Sequence, residues 1–139
     1  MQFPDELHEM IAEKAVAVLT TAMPSGDFQS HVMWFDITDS AVRINTQVDR
    51  VKYRNLQRDP RCSLVVVHPK NPFSYVEIRG RAVSFTAGQT GRDHIDKLSQ
   101  HYLGSPYGLK IKSERVTIEI EPRSEEHTSE LQSPCNLVC

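Results

Sequence analysis

The residues with the clearest chemical potential are two basic side chains that follow a strand-like run, Arg50 and Lys52. On an extended backbone these side chains, two positions apart, leave the same face and can converge on one phosphate group. Thr46 adds a hydroxyl donor four positions earlier. The same spacing is typical of the solvated face at the start of a helix, so spacing alone does not choose between an anion site and a surface patch.

A second group of candidate residues lies upstream, in residues 28–35, which we predict to be a strand. One face of this strand carries Gln29, His31, Met33 and Phe35, and the other carries Ser30, Val32 and Trp34. Polar and flexible side chains on one face are more typical of a ligand-binding surface than of a core. His31 fits a base, a cofactor contact or a structural hydrogen-bonding residue. Met33 fits core packing or contact with a flat ring, and Trp34 fits an anchor in the core or a dimer interface.

The elements that must position these residues are mainly strands. Hydrophobic alternation, apolar runs and turn signals predict six strands, at residues 15–21, 28–35, 41–46, 62–68, 73–85 and 115–122. Helical spacing predicts short helices at residues 5–14 and 53–58 and a longer amphipathic helix at 93–102, which ends at Gly104. We therefore predict a mainly β protein, a small and mostly antiparallel six-stranded barrel with two or three peripheral helices.

Length and charge exclude several classes of protein. A chain of 139 residues fits one domain with a real core, and a formal charge of −2 argues against a nucleic-acid-binding protein. No apolar run approaches the roughly 20 residues that span a bilayer, and the N-terminus lacks the features of a signal peptide. We expect a cytoplasmic protein without a membrane or nucleic-acid partner.

The last residues differ in origin from the rest. Residues 123–133 resemble, residue for residue, the translation of a common sequencing-library adapter. We therefore expect a domain in residues 1–122, truncated at its C-terminus, and a non-native tail in residues 123–139. Cys135 and Cys139 fall in this tail and predict no metal site, whereas Cys62 reads as a small buried side chain.

No motif for nucleophilic, zinc or nucleotide-phosphate chemistry is present: there is no plausible Ser-His-Asp set, H-E-x-x-H, P-loop or G-x-G-x-x-G. A phosphate-binding group without an obvious nucleophile is expected where a bound cofactor carries the reaction. We accordingly assign no catalytic residue.

The order of four segments carries a family resemblance. Four segments precede the last predicted strand in this order: residues 29–35 (Q-S-H-V-M-W-F), the Thr46 to Leu56 stretch, residues 71–82 (N-P-F-S-Y-V-E-I-R-G-R-A) and residues 93–104. This order resembles the pyridoxamine-phosphate-oxidase-like split β-barrel flavoproteins. More narrowly, it resembles the flavin- and deazaflavin-dependent oxidoreductases that use coenzyme F420. The resemblance covers residues 5–122.

This resemblance implies a cofactor site and a homodimer that completes it. The flat ring is expected along residues 29–33 and near Thr46, the phosphate at Arg50 and Lys52, and the segment around Tyr75 at the cleft. The cofactor-binding residues that it implies are Gln29, Ser30, His31, Met33, Thr46, Arg50, Lys52 and Tyr75.

The implied activity is hydride transfer from reduced coenzyme F420 to a small organic acceptor. FMN is the alternative cofactor, because both molecules present a phosphate and a tricyclic ring and no dedicated site for the polyglutamate tail of F420 is recognisable. A protein that binds a flavin or haem-type ligand without turnover is the alternative from another functional class.

Overall fold

The computed structural model describes residues 3–110 and 112–123, and within these residues it contains seven strands and three helices. The helices are α1 (Asp5–Ala12), α2 (Val51–Arg58) and α3 (Gln89–Leu103). The strands are β1 (Ala17–Ala22), β2 (Phe28–Met33), β3 (Phe35–Ile37), β4 (Val42–Gln47), β5 (Arg61–His68), β6 (Asn71–Thr86) and β7 (Arg115–Pro122). No helix in the described ranges is long and apolar enough to cross a membrane.

All seven strands form one antiparallel sheet in the order β2-β1-β5-β6-β7-β4-β3. The first and last strands of this order are joined in the chain by Trp34 alone, so the two edges of the sheet meet and the sheet curls into a half-barrel. The predicted fold class, a mainly β antiparallel split barrel with peripheral helices, is confirmed.

The prediction of six strands differs from the structure at one point. Residues 28–35 form two strands rather than one, because the chain leaves one sheet edge and joins the other at Trp34. Met33 pairs with Ala17 of β1, whereas Phe35 pairs with Ile44 of β4. The Trp34 ring stacks on Tyr102 of α3 with ring centroids 5.1 Å apart, which holds the junction against the helix.

The core lies on the concave face of the sheet. Alternate strand residues point into it, and those with at most 1% exposure include Leu19, Ile44, Leu64, Ile78 and Ile118. Each fully buried side chain of this kind contributes about 1.5–3 kcal/mol relative to an exposed one. Helix α1 adds Leu7 and Met10 to the same cluster.

Helix α3 covers the convex side of β4 and β7 and approaches very closely. A Cβ atom on Gly91 would collide with the main-chain oxygen of Arg115, so only glycine permits this approach. The helix ends at Gly104, which has a φ of 78°, as its sequence predicts. Further along the loop that follows α3, the Tyr107 ring lies 5.3 Å from the guanidinium of Arg115 on β7.

Candidate functional site

Helix α2 is fixed to β1 and β2 by one buried amide. Asn55, which is 1% exposed, donates from Nδ2 to Oγ1 of Thr21 at 3.1 Å and to Oε1 of Gln29 at 3.4 Å. Arg58 donates to the main-chain oxygen of Ala22 and, at 3.3 Å, to Oδ1 of Asn55. An eight-residue helix is marginal by itself, so these contacts and the buried Leu56 set its position.

The helix begins at Val51 rather than at residue 53, and this corrects the extended geometry expected of the two basic residues. Arg50 is the extended N-cap residue and Lys52 lies in the first helical turn. The two side chains still lie close enough to repel each other, since Arg50 lowers the pKa of Lys52. The two basic side chains thus lie at a helix N-terminus instead of on a strand.

Lys52 is a buried cation without an opposite charge. It is 8% exposed, and no carboxylate of the described residues forms an ion pair with it. Its pKa is lowered mainly by loss of solvation, and further by the charges of Arg50 and Arg115. Such a group is poorly stabilised in the free protein and well placed to receive an anion.

His31 faces this pair from β2. It pairs with Leu19 of β1 and so lies on the concave side of the sheet. Burial, then Lys52, then Arg50 lower the pKa of His31, so its imidazole is neutral near pH 7. We call His31, Arg50 and Lys52 the basic cluster.

The N-terminus of α2 strengthens the preference of the basic cluster for an anion. The free N–H groups of the first turn carry partial positive charge, and this turn contains no acidic residue and no side-chain cap. Cations here are unfavourable by about 0.3–1 kcal/mol each, and a bound phosphate reverses that effect.

Thr46 and Met33 are both buried, with 4% and 9% of their surface exposed. Thr46 of β4 is buried opposite Val116 of β7, one position before the pair between Gln47 and Arg115. Met33 is a core residue on the same face of β2 as Gln29 and His31. Both side chains therefore lie on the buried face of their strands.

Two of the sequence-predicted residues lie on the other side of the sheet. Ser30 is exposed on the convex face and its Oγ lies 2.8 Å from Oγ1 of Thr20. Tyr75 of β6 pairs with Val67, which is on the same convex face. Within one chain, Ser30 and Tyr75 are therefore not brought together with the basic cluster.

The convex face of β2, β1 and β5 also carries apolar side chains exposed to solvent. Phe28 is 77% exposed and Val32 is 69% exposed, and Val16 and Val67 add to the same surface. We call these four residues the convex apolar face.

Sequence analysis missed Arg115. This residue pairs with Gln47 at the end of β4, and its charge acts on Lys52. Burial, then the nearby positive charge of Arg50, lowers the pKa of Arg115, although Tyr107 partly offsets this. Nothing local in the sequence indicates this proximity, because it depends on the pairing of β4 with β7.

Two cavities of similar size occur in the described part of the chain. One, of about 310 Å³, lies between α3, the β2–β3 junction and Arg115. The other, of about 330 Å³, lies around Cys62 and Arg61 and shares no lining residue with the basic cluster. Burial raises the pKa of Cys62 to about 12, so its thiol is not a nucleophile at neutral pH. No group of three metal-binding side chains occurs among residues 3–110 and 112–123.

Comparison with known proteins gives a consistent family. The model of the pyridoxamine 5'-phosphate oxidase family matches residues 3–129. A solved F420 reductase is 27% identical over 88% of this chain and 97% of that chain, with a TM-score of 0.75. No curated protein matches the chain.

Two further solved structures share the fold. A conserved hypothetical protein from Mycobacterium tuberculosis is 21% identical over 88% of this chain and 82% of its own, with a TM-score of 0.69. A putative pyridoxamine 5'-phosphate oxidase from Listeria innocua is 20% identical over 86% of this chain and 93% of its own, with a TM-score of 0.64.

Proposed function

The chain belongs to the pyridoxamine 5'-phosphate oxidase family, a family of flavin- and deazaflavin-type oxidoreductases, and we propose that it uses reduced coenzyme F420 to reduce a small electron-poor organic acceptor. When bound, the deazaflavin supplies the hydride, from C5 of its ring. The protein contributes binding, orientation and exclusion of water.

The observation that carries this proposal is Lys52, a buried cation without an ion-pair partner in the described part of the chain. A phosphate held by Arg50, Lys52 and the N-terminus of α2 supplies the missing negative charge. The chemistry of this donor set therefore fits the phosphate of F420, and it fits that of FMN equally well.

We assign the ring to the concave side of β2 and β4. Gln29, His31 and Met33 share the concave face of β2, and Thr46 is buried on β4. Neutral His31 would donate a hydrogen bond to polar atoms of the ring or accept one from them, and Met33 would offer it a polarisable contact.

The choice of F420 over FMN rests on similarity to an F420 reductase at 27% identity. An FMN-dependent oxidoreductase is the second candidate, since the charge of the basic cluster suits either phosphate and no separate site for a polyglutamate tail is recognised in the described residues. A binding protein without turnover is the third.

A homodimer accounts for the residues that one chain leaves apart. The convex apolar face would be covered by a second copy, and Ser30 and Tyr75, which lie on that same side of the sheet, would then line a site shared between subunits. This assignment is tested by the molecular mass in solution, and Val32→Lys should shift the protein to the monomer.

Turnover is tested with reduced F420 under anaerobic conditions, by recovery of F420 fluorescence after addition of quinone, nitro or enone acceptors. The proposal predicts recovery that depends on both protein and acceptor. Reduction of the acceptor that requires FMN and a different reductant, in place of reduced F420, supports the second candidate. Tight F420 binding without recovery for any acceptor supports the binding protein.

A further inference from the structure

The cavity of about 310 Å³ is apolar on most sides and contains one arginine. Its apolar wall is formed by the β2–β3 junction, α3 and the loop after α3: Val32, Met33, Trp34, Ile95, Leu98 and Leu109. The polar residues that line it are Asn45, Tyr107 and Arg115. A site of this composition is complementary to a molecule that is largely apolar and carries one anionic group.

Arg115 is held in a fixed orientation. Its Nε donates to Oδ1 of Asn45 at 2.8 Å, and its guanidinium lies 5.3 Å from the centre of the Tyr107 ring. No carboxylate of residues 3–110 or 112–123 forms an ion pair with it. A planar guanidinium fixed in this way matches the two oxygens of a carboxylate.

Asn45 is in turn oriented by buried partners. Its Nδ2 donates to the main-chain oxygen of Gly91 at 2.9 Å and lies 3.2 Å from Nδ1 of His94. Because Nδ2 has only hydrogens to give, Nδ1 of His94 must accept and Oδ1 of Asn45 must face Arg115.

The tautomer of His94 follows from Asp36. Nε2 of His94 lies 3.1 Å from Oδ1 of Asp36, so Nε2 carries the hydrogen and Nδ1 is free to accept. Burial raises the pKa of Asp36, but hydrogen bonds from His94 and Arg43 outweigh this and hold it below its ordinary value. The chain of contacts from Asp36 to Arg115 is thus consistent at every hydrogen bond, and it ends at the cavity.

We propose that this cavity binds a flat aromatic carboxylate, with the carboxylate on Arg115 and the ring beside Trp34. Binding does not need the cofactor. The further step, that such a molecule is the acceptor, rests on the proposed function: for a quinone carboxylate, a hydride from reduced F420 and one further proton from that cofactor yield the hydroquinone and oxidised F420.

The test is binding of 2-naphthoate and its neutral analogue 2-naphthamide to the full chain without cofactor, followed by calorimetry and by quenching of Trp34, the only tryptophan. We expect naphthoate to bind about tenfold or more tightly than naphthamide, and Arg115→Gln to remove that difference. Arg115→Lys should restore part of it, since the charge remains but the planar fork is lost.

Arg61→Gln is the matched control, because Arg61 is exposed and bonded to Asp59 outside this cavity. It should leave both affinities unchanged. Equal affinities for acid and amide in the wild type, or an Arg115→Gln protein that is folded and still prefers the acid, overturn the proposal. Displacement of naphthoate by inorganic phosphate also overturns it, because Arg115 then belongs to the phosphate site.

Turnover separates this inference from the proposed function. Naphthoate binding without oxidation of reduced F420 by any acceptor leaves the cavity assignment intact and contradicts only the proposed activity.

Discussion

Nδ2 of Asn55 in α2 donates a hydrogen bond to Oε1 of Gln29 in β2 at 3.4 Å. The same amide reaches Thr21 of β1, so one buried side chain links the helix that carries Lys52 to the strand that carries His31. The geometry of the basic cluster therefore depends on a residue outside that cluster.

Replacement of Asn55 by alanine should lower the free energy of unfolding by about 1–3 kcal/mol, because the buried hydroxyl of Thr21 and the half-buried amide of Gln29 lose a partner. Urea denaturation measures this. Gln57→Ala is the control on the exposed side of the same helix, where the Gln57 side chain donates to Tyr53, and should change stability by about 0.5 kcal/mol or less. Equal effects of the two substitutions would contradict the structural role of Asn55.

Replacement of Lys52 by methionine should act in opposite directions on stability and binding. The lowered pKa of Lys52 means that its charged form is disfavoured in the folded protein, so removing the charge should stabilise the cofactor-free fold by about 0.5–2 kcal/mol. Affinity for the cofactor should fall in the same variant.

Lys70→Met is the control for the loss of a positive charge. Lys70 forms an exposed ion pair with Glu13, a contact worth about 0–1 kcal/mol, so this variant should be neutral or slightly destabilised and should bind cofactor normally. Destabilisation by Lys52→Met in thermal unfolding of the cofactor-free protein would argue against a site that is strained by unpaired charge.

His31 predicts a specific pH dependence. Its pKa in the folded protein lies below the ordinary 6.5, so between the two values the unfolded chain binds more protons and stability rises with pH. The contribution is fully present above about pH 6.5 and is lost as the pH falls toward the lowered value.

His31→Gln should therefore gain stability relative to the wild type at about pH 5.5 compared with about pH 7.5. Denaturation of both proteins at the two pH values isolates the contribution of His31 to the free energy of unfolding, since all other groups titrate in both proteins. A stability difference that does not change with pH would mean that burial, Lys52 and Arg50 do not lower the pKa of this imidazole.

Deletion of residues 123–139 tests the assignment of the tail, most of which lies outside the described residues. A tail of foreign origin was never selected to pack, so the deletion should change stability by about 0.5 kcal/mol or less in thermal unfolding. A deletion that unfolds the protein would show that the tail has become part of the fold.

Local sequence patterns predicted most of the strands and the end of α3, because alternation, apolar runs and Gly104 act through neighbouring residues. The break at Trp34 was not predictable in this way, since residues 28–35 contain no Gly or Pro to mark a turn and only pairing with β1 and then β4 divides them. The start of α2 at Val51 was missed because β-branched and basic residues without an acidic cap are weak helix-start signals.

The candidate site was likewise predictable only where its residues are close in sequence. Arg50 and Lys52 are close in sequence and their charge is visible there. Arg115 is absent from that prediction because a contact across more than sixty positions follows only from the pairing of β4 with β7. Ser30 and His31 are neighbours in sequence, yet they lie on opposite faces of β2.

The most direct test of the central claim is a pair of equilibrium titrations, with oxidised F420 and with FMN, of the wild type and of the Arg50→Ala, Lys52→Ala double variant. The account predicts tighter binding of F420 than of FMN by the wild type. It also predicts about a hundredfold or greater loss of F420 affinity in the double variant, since two charge-assisted contacts of about 1.5–3 kcal/mol each are removed. An unchanged dissociation constant in the folded double variant would contradict the phosphate site, and tighter binding of FMN would contradict the choice of cofactor.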